Sequence, residues 1–142
     1  MTEIDPFTFF GVFNRGIRPE RRIEIFRAIK ERFGVHAQLP SDFDGIPILN
    51  NLRSWFVAYS SERKPSDVQC LWRVFRLSLG ESPLDDPTFL QAFDDALAVK
   101  DTNLNLTMGL FWIQPDTFVN LDQTNRQFLK IKLPKKGLTA KF

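Results

Sequence analysis

The stretch Pro19-Glu-Arg-Arg-Ile-Glu-Ile-Phe-Arg-Ala-Ile-Lys-Glu-Arg-Phe-Gly34 decides the fold class. Proline suits the first turn of a helix, and glycine suits its left-handed exit. Between them Ile23, Phe26, Ile29 and Phe33 recur at helical spacing and make one apolar face. Glu20, Glu24, Arg27 and Lys30 fall on the wetter side. The spacing predicts a helix over residues 19–33.

The same grammar extends in both directions. Upstream, Asp5-Pro6 reads as a cap followed by a first turn, with Phe7, Phe10 and Phe13 on one face and Gly16 as the stop. Downstream, Pro40, Gly45 and Pro47 mark residues 35–49 as an irregular loop. Leu52, Trp55, Phe56 and Tyr59 again stand at helical spacing before Pro65. Ser66-Asp-Val-Gln69 has the spacing of a capping box and leads into Val68, Leu71, Trp72, Phe75 and Leu79, with Gly80 as the stop. Asp86-Pro87 opens a helix carrying Phe89, Leu90, Phe93 and Leu97. The run 106–113 suits a buried helix or a buried strand equally, and Pro115 ends it. Leu121-Asp122 leads into a short helix through Phe128. The expectation is a mainly α, single compact domain of five or six helices with at most a few short strands. It spans residues 1–133, and 134–142 form a basic tail or linker.

Composition narrows the function classes. A chain of 142 residues fits one domain and needs no disulfide or metal staple. Aromatics make up 13% of it, fifteen of them phenylalanine, so a few buried rings can dominate the core. One cysteine, Cys70, excludes an internal disulfide. One cysteine with one histidine, His36, excludes an ordinary structural zinc site. With no signal-peptide pattern at the start and no membrane-length apolar run, a cytoplasmic setting is expected.

Catalytic patterns are missing. No glycine-rich run followed by lysine and a hydroxyl residue exists to cradle phosphates. His36 stands at a helix exit, and Cys70 sits beside Leu71 and Trp72 as an inert thiol. Asp42-Phe-Asp44 offers two oxygens to a hard cation, fewer than a calcium loop gathers. Asp94-Asp95 reads as a solvated face. No cofactor, no metal and no enzymatic activity are expected.

Charge is uneven although the net value is only +2. Arg15, Arg18, Arg21 and Arg22 crowd the junction of the first two helices, and Lys130, Lys132, Lys135 and Lys136 crowd the C-terminal end. These are the candidate phosphate contacts. Trp55, Phe56 and Trp112 are candidates for stacking on an extruded base, with core packing as the competing reading. Asn14, Asn50, Asn51, Asn120 and Asn125 can read base edges, but such residues more often cap helices and fix turns. Asp122 and Arg126 read as a cap and its paired base.

Three stretches together resemble a known family. They are Ile4-Asp-Pro-Phe-Thr-Phe-Phe-Gly-Val-Phe-Asn-Arg-Gly-Ile17; Asp42-Phe-Asp-Gly-Ile-Pro-Ile-Leu-Asn-Asn51 with Ser54-Trp-Phe56; and Asn105-Leu-Thr-Met-Gly-Leu-Phe-Trp-Ile-Gln-Pro-Asp116 running on through Phe118 to Arg126. The set is similar to the domain upstream of the AAA+ motor in McrB-like subunits of modification-dependent restriction systems, across about residues 4–130. The resemblance implies DNA recognition in phage defence, with an AAA+ motor module and a partner nuclease as associates. It implies no hydrolysis by this chain, since the nucleotide-binding motifs of such subunits lie in the motor. A structural adaptor or oligomerisation module for the AAA+ ring is the alternative.

Overall fold

Among the described residues six α-helices follow in series: α1 (Pro6–Phe13), α2 (Pro19–Phe33), α3 (Asp67–Ser78), α4 (Pro87–Leu97), α5 (Asn105–Ile113) and α6 (Gln123–Phe128). The computed structural model describes residues 3–132; the expected tail at 134–142, with Lys135 and Lys136, lies outside them. Among the described residues there is no sheet, only an isolated parallel bridge between Arg15 and Leu49. The chain is a mainly α domain. None of the described helices is long and apolar enough to cross a membrane.

Helix starts follow local chemistry. Asp5, Asp86 and Asp122 each accept a backbone N–H of the first turn, from Thr8, Thr88 and Asn125, at 2.8 Å in every case. Each such cap is worth about 1 kcal/mol. Gly34 closes α2 in the left-handed conformation. The ambiguous run 106–113 is helix. The first helix stops at Phe13, before Gly16, because Asn14 caps it and its backbone N–H still reaches the Phe10 carbonyl.

Two expected elements differ. Residues 50–64 hold only one turn of 3-10 helix, Asn51–Arg53, and not a full helix. Their backbone is claimed from outside: the Phe56 N–H donates to the Thr8 hydroxyl at 3.0 Å, and the Phe56 carbonyl accepts from the Thr102 hydroxyl. The expected capping box at Ser66–Gln69 does not form either. Ser66 makes no cap bond, Asp67 accepts the Lys64 N–H at 2.8 Å, and the Gln69 amide reaches Glu3 at 3.0 Å instead.

The core gathers where α1, α3, α4 and α5 meet. Phe7, Phe56, Leu71, Val74, Ala96 and Leu106 are fully excluded from solvent. Phe7 packs against Phe56 with ring centroids 5.6 Å apart and meets Phe75 edge-on at 6.3 Å. Gly109 permits this closeness, since a Cβ there would lie 2.5 Å from the Phe7 ring. By contrast α2 has Arg22 as its one buried residue and leans on loop side chains, with Phe26 stacked on Phe43 at 5.9 Å. Phe33, expected on its apolar face, is exposed.

Candidate functional site

A groove of about 580 Å³ opens beside the core, within the roughly 300–1,000 Å³ range of ligand sites. One wall comes from the irregular segment after the 3-10 turn, where Trp55 is 52% and Tyr59 73% exposed while Phe56, Val57 and Ala58 between them are buried. The two exposed rings lie 6.5 Å apart at 48°. Ile48, Leu49, Asn50 and Leu52 continue that wall, and Asp101, Asn103, Leu104, Asn105 and Met108 face it.

The facing wall has an unusual backbone. Asp101 and Asn103 both have positive φ, at 72° and 43°, which asparagine and aspartate tolerate better than other non-glycine residues. Thr102 between them is fully buried and bonded to the Phe56 carbonyl. That anchor turns the two flanking side chains outward. Such strain costs on the order of 1–3 kcal/mol per residue and gathers at functional sites.

A second pocket, of about 330 Å³, adjoins the first and shares Trp55, Val57, Ala58 and Tyr59 with it; Glu3, Ile4, Asp5, Thr8, Ser60 and Arg63 complete its lining. Asp5 is 1% exposed, and its Oδ2 is buried without a hydrogen bond, as is Nε of Arg63. Burial pushes the Asp5 carboxyl above its ordinary value of 3.8, against the hydrogen bonds of Thr8 and the Phe7 N–H that lower it. The folded state thus holds this proton more tightly than the unfolded chain does. The residue's stabilising effect is fully present below 3.8 and is lost as pH rises through the raised value. Melting temperatures between about pH 4 and 7 are therefore expected to fall less in Asp5→Asn, which keeps the cap, than in the native chain. Parallel profiles would refute this.

The expected DNA contacts fare differently. Arg18 and Arg21 are exposed, although Arg21 pairs with Glu24 at 2.7 Å, and Arg15 is half-buried. Arg22 is not a surface contact. It is 4% exposed, donates to the Asn14 side chain, and places its guanidinium 3.7 Å from the centre of the Phe43 ring. Spacing carried that signal, because Arg22, Phe26, Ile29 and Phe33 share one helical stripe. Lys130 and Lys132 are exposed beyond α6.

Trp112 is a core residue, with its indole N–H donating to the Pro47 carbonyl at 2.9 Å and its ring edge-on to Phe56. Of the three expected stacking residues only Trp55 is exposed to meet a ligand, since Phe56 is fully buried in the core. The asparagines serve the fold: Asn51 donates to the Gly16 carbonyl, Asn50 caps the 3-10 turn, and Asn125 donates to the Asn120 carbonyl. Arg126 donates to the Leu121 and Asp122 carbonyls, not to the Asp122 carboxylate. Tyr59, Asn103, Asn105 and Arg63 were not singled out by sequence.

Elsewhere the polar side chains are scattered. His36 is exposed, and Asp42 folds into a local turn, accepting from the Asp44 N–H at 3.1 Å. Asp95 pairs with Arg73 at 3.3 Å. Burial, and then Asp95 and Asp67, raise the pKa of Cys70, which disfavours the reactive thiolate. Among the described residues no three His, Cys, Asp or Glu side chains gather to hold a metal.

The sequence matches the family model described as Domain of unknown function (DUF8425) over residues 1–141. The chain belongs to DUF8425. No curated protein and no solved structure matches it. In this DUF8425 chain the two pockets draw on residues far apart in sequence: Asp5 and Thr8 line the smaller one, Leu49, Asn50, Asn105 and Met108 line the groove, and Trp55 lines both.

Proposed function

We propose that this DUF8425 domain is a non-catalytic DNA-recognition module of a McrB-like restriction system, serving an AAA+ motor and a partner nuclease. One observation carries the reading: the aromatic groove is joined to the arginine-bearing α1–α2 junction. Leu49, which lines the groove, bridges to Arg15, and its N–H donates to the Asn14 carbonyl at 2.9 Å. Asn51 ties the next residue, Gly16, at 3.2 Å. Phosphates held by Arg15, Arg18 and Arg21 would sit next to a place where a base can stack on Trp55 and Tyr59. Asn103 and Asn105 line the same groove as those rings. Aromatic faces accept any base, whereas arginines fix the backbone.

The test is a titration of methylated and unmethylated duplexes and of single strands across a salt series. Affinity should fall steeply with salt. Replacing Arg15, Arg18 and Arg21 together with alanine should flatten the log–log slope by roughly 0.7–0.9 per lost phosphate contact. Arg22 stays untouched in that variant because it is a structural residue. Absence of binding even at low salt would overturn the proposal. The adaptor reading is favoured by one feature, the exposed apolar side chains Phe128, Leu129 and Ile131 around the end of α6, with Phe128 at 82%. Docking to a motor domain without nucleic-acid affinity would establish it.

A further inference from the structure

The groove carries a charge that its aromatic rings leave unexplained. Among the described residues that line it, Asp101 is the one with a formal charge. Asp101 is exposed, and its carboxylate makes no hydrogen bond or ion pair among the described residues; its neighbour Lys100 pairs with Glu62 instead. The backbone holds this acid in place. Thr102 donates to the Phe56 carbonyl, so Asp101 and Trp55 each stand one residue from a single buried hydrogen bond that joins the two walls. The left-handed backbone at Asp101, with φ of 72°, sets the direction in which its side chain leaves the chain. An ionised carboxylate offers two acceptor oxygens and no donor.

Among the four DNA bases, guanine complements such a pair of acceptors. Its unpaired edge presents N1–H beside the N2 amino group, two parallel donors that a carboxylate can accept together. Adenine and cytosine set one amino group beside an acceptor nitrogen, and thymine sets one N–H between two carbonyls. Each of these brings an acceptor against the carboxylate. Guanine O6, next along the same edge, calls for a donor, and the side-chain amides of Asn103 and Asn105 line the same groove. The rings accept any base; the acid supplies the choice. We infer that the groove is a guanine subsite, with Asp101 reading the N1–H and N2 amino edge of a base stacked against Trp55 and Tyr59. This rests on the nucleic-acid reading above and narrows its ligand to an unpaired guanine, because cytosine occupies that edge in a duplex.

The decisive measurement uses the full chain and a set of thymine-rich single strands that differ only at one central base. The strand with a central guanine should bind roughly 5- to 150-fold more tightly than those with adenine, cytosine or thymine, the discrimination expected of one bidentate pair. Two further strands probe single atoms. Central hypoxanthine, which lacks the N2 amino group, should lose most of that preference. Central 7-deazaguanine, altered on the opposite edge, should bind as guanine does. Asp101→Asn suits the left-handed backbone, since asparagine is among the residues that tolerate it. That variant, shown folded by its melting curve, should bind the guanine strand no better than the other three. Equal affinity of the native chain for all four bases, or full affinity for hypoxanthine, overturns the guanine site while sparing the recognition reading. An equal shift of all four strands in Asp101→Asn means that the carboxylate acts through its charge alone, and overturns the site as well. Failure to bind any strand overturns both.

Discussion

Replacing Phe56 with alanine is expected to lower stability by about 3–5 kcal/mol, the cost of emptying a core aromatic site. The side chain is fully buried, packs 5.6 Å from Phe7 and 5.9 Å from Trp112, and lies close to Gly109, whose missing Cβ leaves no atom to fill the hole. Domains of this size are stable by only about 5–15 kcal/mol, so the variant stands near the edge of unfolding. Thermal melts should show a drop of roughly 10–20 °C. A loss below about 1 kcal/mol would mean that the ring is not the keystone of the core described above.

Replacing Trp55 with alanine should separate recognition from folding. Trp55 is half exposed, and its recorded ring contact is with Tyr59, itself largely exposed. Its removal should therefore move the melting temperature little. Single-strand affinity should fall by about 1–3 kcal/mol, on the order of 5- to 150-fold, the worth of one aromatic–base stack. Fluorescence anisotropy with a labelled oligonucleotide reads this directly. Equal affinities for the variant and the native chain would remove the groove from the binding surface.

The helices were legible where their determinants are local. Pro19 and Gly34 bracket α2, and Asp5, Asp86 and Asp122 mark three other starts, because each cap is written within four residues of the turn it closes. Residues 50–64 were not legible for the opposite reason. Leu52, Trp55, Phe56 and Tyr59 satisfy helical spacing, yet the partners that hold this segment, Thr8 and Thr102, come from 48 and 46 residues away along the chain. Gln69 was likewise drawn off its box by Glu3, 66 residues distant. Local rules cannot see such competitors.

The candidate site divides in the same way. Trp55 and the arginines stood out by residue type, and Arg22 could have been set aside by its helical phase with Phe26. Asp5 stood out only as a cap; its orphan oxygen is a tertiary fact. Asp101 and Asn103 gained their place from backbone angles that no pattern of neighbours dictates.

Phe56 hangs between two hydroxyls, one from α1 and one from the loop ahead of α5, and it is flanked by the rings that wall the pockets. A genetic screen for lost recognition would consequently recover Thr8 and Thr102 as readily as Trp55. Those hits would report a loosened frame and not a severed contact, so each must be sorted by protein abundance in the cell before it is drawn on a map of the ligand.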